Sequence, residues 1–336
     1  MKIALLSPVA WRTPPRKYGP WEQVVSGLAE QLAASKVDVT LFATGDSITK
    51  AKLSWTIDRP YAENAGADVK VSECLHISEV MERAGDFDII HNHYDFLPLT
   101  YSKLIKTPVL TTIHGFSSPL IVPVYRKYNG HCYYVAISNA NRHPELDYMA
   151  TVYNGIDTSL FTFQQNPGDY LLFFGRIHPE KGAWDAIQVA KRCKKKLIIA
   201  GLIQDGAYFE NKIRPYINNE DVVYAGNCEP KQRDALLGSA AALLHLIHFD
   251  EPFGLSVAEA MCCGTPVIAF NRGSMPELIA DKKTGFLVNT IDEAVAAVGQ
   301  LGNINRNDCR QWSSARFSTA KMAGDYMQVY KRILAR

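Results

Sequence analysis

The stretch Gln164-Gln165-Asn166-Pro167-Gly168-Asp169-Tyr170-Leu171-Leu172-Phe173-Phe174-Gly175 divides this chain. Its first half is polar and carries Pro167 and Gly168, which stop regular structure and mark a linker. Its second half is a short run of aromatic and branched residues ending at a glycine, the pattern of a buried strand. From there apolar runs alternate with helix-period segments. The pattern predicts strands at Tyr170–Phe174 and Lys196–Ala200 around a helix at Ala183–Cys193, then strands at Asp221–Tyr224, Ala241–Ile247, Pro266–Phe270 and Gly285–Val288. The same alternation fills the chain before the linker. Lys2–Ser7 reads as a first strand, and a Pro-rich loop, Thr13-Pro14-Pro15-Arg16-Lys17-Tyr18-Gly19-Pro20, leads into a helix at Trp21–Ser35. Strands follow at Val37–Ala43, Asp88–His91, Pro108–Ile113, Tyr133–Ser138 and Ala150–Tyr153. Such alternation makes βαβ units and parallel sheets. The expectation is an α/β protein of two Rossmann-like, doubly wound domains, residues 1–163 and 168–316, facing across a central cleft. A last helix, about 317–336, can pack on either half, including back onto the first.

At 336 residues the chain is too long for one ordinary core. A formal net charge of +2 gives no warrant for nucleic-acid binding, which needs a clustered basic face. The one dense basic run, Lys191-Arg192-Cys193-Lys194-Lys195-Lys196, falls where a helix ends, and cations are favoured there. Membrane contact is therefore at most peripheral. Seven cysteines, an odd number without a C-x-x-C pair, read as reduced thiols of a cytoplasmic protein. Nothing near Met1 has the pattern of a signal peptide, and the longest apolar stretch, Ala240 to Phe249, is broken by His245 and His248.

Chemistry concentrates in Glu251-Pro252-Phe253-Gly254-Leu255-Ser256-Val257-Ala258-Glu259. Two carboxylates flank a Phe-Gly-Leu turn that opens a helix. The first amides of a helix lack internal partners and sit at its positive end, which makes a socket for a phosphate or diphosphate. Carboxylates accept well from vicinal hydroxyls, so one Glu can read a sugar and the other a ribose, the layout of a sugar nucleotide. Alone, such a pair reads more readily as a loop Glu and a solvated helical Glu. Gly175-Arg176-Ile177-His178-Pro179-Glu180-Lys181-Gly182 follows directly on the Tyr170–Phe174 strand, so Arg176 and Lys181 lie at its carboxyl end, where ligands bind. Two fixed cations there can neutralise a departing diphosphate, or be plain loop cations. Tyr18-Gly19-Pro20-Trp21-Glu22 lets backbone approach a phosphate at Gly19. His114, after Thr111-Thr112-Ile113 and before Gly115, ends a strand where it can hydrogen-bond a sugar, handle a proton near neutral pH, or sit satisfied in the core.

Asp86-Phe87-Asp88 imitates a metal-holding D-x-D but precedes its strand, at the amino end, so strand-entry polarity explains it. His91-Asn92-His93 has no third ligand at a zinc spacing, which leaves a loop role. No G-x-S-x-G, phosphate loop ending in Gly-Lys-Ser/Thr, or G-x-G-x-x-G after a first strand is present, against hydrolase, kinase and dehydrogenase readings.

Together these segments resemble the family 4 glycosyltransferases of the GT-B fold, retaining enzymes that use nucleotide-activated sugars. The resemblance runs over nearly the whole chain: Pro14-Pro15 with Tyr18-Gly19 and Glu22, Asp38 to Ala43, Thr112-Ile113-His114-Gly115, Asn154-Gly155-Ile156-Asp157, Gly175-Arg176 with Lys181-Gly182, Glu251 to Glu259, and Gly264-Thr265-Pro266-Val267. It implies that Arg176 and Lys181 bind the donor diphosphate with the amides of Gly254 and Leu255 in the Phe253 turn. Glu259 holds the ribose, Glu251 contacts the transferred sugar, His114 sits beside that sugar, and Gly19 approaches the donor phosphates or the acceptor. One departure stands out: relatives usually have Gly-Gly where this chain has Gly19-Pro20, and proline removes an N–H donor. The implied reaction is metal-independent transfer with retention, with no cofactor beyond the nucleoside-diphosphate sugar, a UDP-sugar favoured over a GDP-sugar. The acceptor is a sugar, a lipid-linked molecule or a small molecule. Rival readings are a GT-B-fold epimerase and a non-catalytic nucleotide-sugar binder.

Overall fold

The computed structural model describes every residue except Ser117. The chain forms two compact units, Met1–Gly155 with Thr319–Arg336, and Ile156–Ser318. The dividing point lies just before the expected linker. Gln164 and Gly168 belong inside the second unit, where their N–H groups donate to the carbonyls of Cys263 and Ser239.

Among the described residues the first unit is built on a seven-stranded parallel sheet. Its strands are β1 (Lys2–Leu6), β2 (Asp38–Phe42), β3 (Lys52–Ser54), β4 (Ile89–Asn92), β5 (Val109–Ile113), β6 (Tyr133–Ala136) and β7 (Tyr148–Thr151). Their order is β3-β2-β1-β4-β5-β6-β7, so the order reverses at β1 and the carboxyl ends of β1 and β4 flank a switch point. Central strands are covered on both faces and read as continuous apolar runs: Ile3 to Leu6, Ile89 and Ile90, Val109 and Leu110 are buried. β3 escaped the sequence reading because it is a three-residue edge strand, Lys-Leu-Ser, with no buried position. The Thr319–Leu334 helix packs on the Pro20–Ala34 helix and sends Tyr326 and Tyr330 into the core. Asp88 accepts the Lys2 N–H at 2.7 Å at the amino end of β4, which fits the strand-entry reading of Asp86-Phe87-Asp88.

The second unit carries a six-stranded parallel sheet of β8 (Tyr170–Phe174), β9 (Lys196–Ala200), β10 (Val222–Gly226), β11 (Ala242–His245), β12 (Val267–Phe270) and β13 (Gly285–Val288), ordered β10-β9-β8-β11-β12-β13. Here the reversal falls at β8, which lies between β9 and β11. The basic run closes the Ala183–Cys193 helix, with Arg192 paired to Asp292 and Lys195 to Asp169. All seven cysteines are free thiols. No described helix is long and apolar enough to cross a membrane.

Candidate active site

Strand order assembles the centre of the second unit. Because β8 and β11 are neighbours, with Leu172 opposite Leu243, the loops leaving their carboxyl ends meet although they are far apart in sequence. Gly182 shows how closely: its φ is +75°, and a Cβ there would sit 1.9 Å from the Leu246 carbonyl oxygen. The His248 N–H donates to the Glu180 carbonyl at 2.7 Å, and its ring Nε2 donates to Asp185 Oδ2 at 2.7 Å. So held, Lys181 Nζ donates to Glu251 Oε2 at 2.5 Å across a sequence separation of 70 and lies 4.5 Å from the centre of the Phe249 ring. The two charged ends are only 14% and 15% exposed, so solvent screens this pair weakly.

The next strand over completes the clamp on Glu251. After β12, the Ser274 N–H donates to the Glu251 carbonyl at 3.0 Å, and Ser274 Oγ donates to the Phe253 carbonyl at 2.7 Å. Phe253 turns its ring into the core, edge-on to Phe317 at 5.6 Å, so the ring anchors the turn while its backbone stays with the site. Gly254 caps the Leu255–Cys262 helix at φ +96°. Only glycine adopts that left-handed angle freely, and it aims the free first amides of the helix at the carboxyl edge of the sheet. Half-buried Leu255 carries the first of them.

His245, the last residue of β11, was not anticipated. Its Nε2 lies 4.0 Å from Glu251 Oε2 and 3.8 Å from where a Gly254 Cβ would stand, with no hydrogen-bond partner among the described residues. Burial pushes its pKa down to about 4; Glu251 opposes this and Lys181 adds to it, so the ring is neutral at physiological pH. Lys181, Glu251, His245 and the Gly254 helix start therefore form one cluster. Arg176, at the same edge, pairs on the other side of β8, with Gln204 after β9. Glu259 lies one turn into the helix, buried, with Oε1 3.3 Å from Arg233 Nη1. Burial raises its pKa and Arg233 lowers it. Arg233 was missed because it sits on a different helix, Pro230–Ser239.

In the first unit His114 is buried and stacked on Trp21, with ring centres 5.3 Å apart and planes at 21°. Its Nε2 is 2.9 Å from His93 Nδ1. Burial pushes its pKa down to about 3, against the expectation of a proton handled near neutrality: the ring is neutral and suited to hydrogen bonding. The loop expected at His91-Asn92-His93 begins only at His93. His91 and Asn92 end β4, and His91 is held by Tyr330 OH at Nδ1 (2.7 Å) and Thr112 Oγ1 at Nε2 (2.8 Å). His93 and His114 meet because β4 and β5 are neighbours, with Asn92 opposite Thr111. Gly19 caps the Pro20–Ala34 helix, its Cβ position crowded at 2.8 Å by Pro15. Pro20 takes the first helical position, where a missing N–H costs the helix nothing. Beside it Glu22 is buried and accepts the Trp11 N–H at 3.2 Å, and burial pushes its pKa up to about 7.

Similarity to known proteins covers both units. The profile of glycosyl transferases group 1 matches residues 161–316, and that of glycosyltransferase family 4 matches residues 21–160. An uncharacterised 41.2 kDa protein of the Klebsiella pneumoniae cps region is 33% identical over 48% of this chain and 46% of its own. A Mycobacterium tuberculosis glycogen synthase is 30% identical over 42% of this chain and 36% of its own. The matched stretch thus spans less than half the length of these relatives. Among solved structures, sucrose-phosphate synthase from Thermosynechococcus elongatus superposes with a TM-score of 0.80 at 19% identity, covering 100% and 99% of the two chains. Anabaena HepE in complex with UDP and glucose gives 0.75 at 20%, covering 98% and 99%. With two parallel Rossmann-like units matched in turn along its length, the chain belongs to the family 4 glycosyltransferases of the GT-B fold.

Proposed function

We propose that this protein transfers a sugar, with retention, from a nucleoside-diphosphate sugar to an acceptor hydroxyl. The observation that carries the reading is the cluster of Lys181, Glu251, His245 and the Gly254 helix start at the carboxyl edge of the second sheet. Accordingly the second unit is read as the donor domain and the first as the acceptor-side domain. The helix amides and Lys181 take the diphosphate, and Arg176 turns from Gln204 to join them. Glu251 accepts from hydroxyls of the transferred sugar and Glu259 from the ribose. When the bond between the anomeric carbon and the diphosphate oxygen breaks, its electron pair stays on that oxygen. Preorganised cationic groups stabilise charge developing there. The acceptor oxygen enters from the same face and passes its proton to a donor phosphate oxygen. On the first unit, His114 offers Nδ1 to a hydroxyl, and Gly19 brings backbone close to a phosphate or the acceptor.

With this positive charge supplied by side chains and backbone, the reaction is expected to proceed without metal. A UDP-sugar is the favoured donor, since HepE was solved with UDP. Free cysteines support a reducing compartment, the cytoplasm. A glycogen synthase, a D-inositol 3-phosphate glycosyltransferase and the glycosyltransferase AviGT4 are among the similar proteins, which favours transfer over epimerisation or binding alone. A thermal-shift panel of UDP-, GDP- and ADP-sugars tests the donor: the matching nucleotide raises Tm with concentration, because ligand that binds only the native state stabilises by mass action. Turnover of that donor should survive excess EDTA and yield a product of unchanged anomeric configuration. A panel with no shift at any nucleotide would refute the donor site. Donor alone converted to an isomer would make the protein an epimerase.

A further inference from the structure

We infer that His93 is a positioning residue that fixes the tautomer of His114, leaving the His114 proton on Nδ1. The inference rests on the reading of His114 as a ligand contact and adds what that contact is. Two neutral imidazoles share the hydrogen bond between His93 Nδ1 and His114 Nε2 at 2.9 Å, so one of them must donate. If His93 donates, His114 keeps its only proton on Nδ1 and His93 Nε2 is a bare lone pair. If His114 donates, the proton of His93 lies on Nε2 and His114 Nδ1 is bare.

Both outer nitrogens, His93 Nε2 and His114 Nδ1, have no hydrogen-bond partner among the described residues. Each alternative therefore strands one N–H, and the two differ in where. His93 is fully buried, its ring 4.0 Å from that of His91, whose own nitrogens are taken by Tyr330 and Thr112. A stranded N–H there has nowhere to go, and orphaned buried donors are rarer than orphaned acceptors. His114 is 6% exposed, at the carboxyl end of β5, where ligands of such sheets are held. His114 Nδ1 is itself shielded from solvent, but it belongs to the ring that reaches this edge. Placing the N–H there puts the stranded donor on the side that a ligand oxygen can approach, which His93, fully buried, does not offer. The protonated alternatives are closed, because burial pushes the pKa of both rings below the usual histidine range. Stacking on Trp21 holds the His114 plane, so the donor has a fixed direction. His114 is then a hydrogen-bond donor to a hydroxyl or phosphate oxygen and not a base.

The test is nitrogen-15 NMR of the full chain labelled at histidine, near neutral pH without ligand, with the His114 signals assigned by their loss in H114N. Long-range proton–nitrogen correlations report which ring nitrogen carries hydrogen. In the wild type His114 is expected with its proton on Nδ1. In H93F, which keeps a ring but cannot donate, that signature should be lost. In H93N, whose side-chain amide can donate from nearly the position of Nδ1, it should return. A wild-type His114 protonated on Nε2 overturns the inference, whatever the variants do. So does an H93F chain, folded by circular dichroism, in which the Nδ1 proton persists. The proposed function fails on separate evidence: H114A transferring at the wild-type rate would remove His114 from the reaction and leave the tautomer result as it stands.

Discussion

Replacing Lys181 by Met keeps most of the stem volume and removes the charge, and the structure sets the size of both consequences. Lys181 and Glu251 are 2.5 Å apart and about six-sevenths buried, at 14% and 15% exposure. Exposed ion pairs are worth about 0–1 kcal/mol, whereas removing one partner of a buried pair costs about 3–5 kcal/mol because a charge is left desolvated and alone. This pair lies toward the buried limit, so Lys181→Met should lower stability by about 2–3 kcal/mol. The lost contact with the Phe249 ring adds about 0.5–1 kcal/mol. On the proposed mechanism the same charge faces the departing diphosphate. Losing one preorganised contact of that kind costs about two to three orders of magnitude in rate.

These two effects are separable. In the double variant Lys181→Met/Glu251→Gln no uncompensated charge remains, so stability should recover by about 1–2 kcal/mol relative to the single change. Activity should not recover, because nothing replaces the cation. Urea midpoints at constant m-value give the first quantity, and nucleoside-diphosphate release with the donor found by thermal shift gives the second. Lys181→Met within about threefold of wild-type kcat/KM would remove Lys181 from the mechanism. No recovery of stability in the double variant would show that the pair is not what holds these loops together.

Glu259→Gln should weaken binding of the free nucleoside diphosphate by about tenfold, the scale of one charge-assisted hydrogen bond; unchanged affinity by calorimetry would refute the ribose role. Gly182→Ala forces a side chain onto a left-handed residue with a backbone oxygen 1.9 Å from the new Cβ, so a loss above about 2 kcal/mol is expected in the urea midpoint. Gly85→Ala, whose Cβ meets nothing within 4 Å, is the control and should be near neutral. On pH, His76, His91, His93 and His114 all have pKa values lowered by burial, so the unfolded chain takes up protons first and each destabilises the fold below about pH 6.5. Glu22, raised to about 7, and Asp95, raised to about 6, act in the opposite sense, gaining protons in the folded state first. The histidines outnumber them, so the urea midpoint should fall between pH 7 and pH 5, and a flat or rising midpoint would refute the assignment.

Strand positions were legible because strands buried on both faces are continuous apolar runs, whatever their partners. Tyr170–Phe174, Lys196–Ala200 and Gly285–Val288 came out as expected, while the short exposed β3 left no such signal. The proposed donor-side residues stood out for a different reason: Glu251, Gly254, Leu255 and Glu259 lie within one turn and the helix that follows it, so their grouping is a matter of local spacing. Pairings across strands were not legible. Lys181 meets Glu251 across 70 residues, and His93 meets His114 across 21, only because β8 adjoins β11 and β4 adjoins β5. Strand order is settled by how crossovers pack, and composition carries no trace of it. Given the order, both pairs could have been read, since each joins residues just past the carboxyl ends of adjacent strands.

Burial then divides the chemistry between the two units. Histidine is the side chain that most readily supplies charge or moves a proton near neutral pH, yet His91, His93 and His114 are all held neutral in the first unit by desolvation. This cluster can direct hydrogen bonds, and it cannot stabilise an anion by charge. The second unit is built the other way. There a lysine and a carboxylate are locked together beside a helix whose first amides are free, and its one buried histidine, His245, is also neutral. Charge that develops on a leaving group needs fixed positive partners. On the proposed function the departing diphosphate is therefore assigned to Lys181 and the Gly254 helix, and the part left to His114 is to orient a hydroxyl. If His114→Asn, whose amide can donate from nearly the position of Nδ1, retained most of the activity lost in H114A, that division would stand. If it behaved like H114A, the imidazole would be doing more than donating one hydrogen bond.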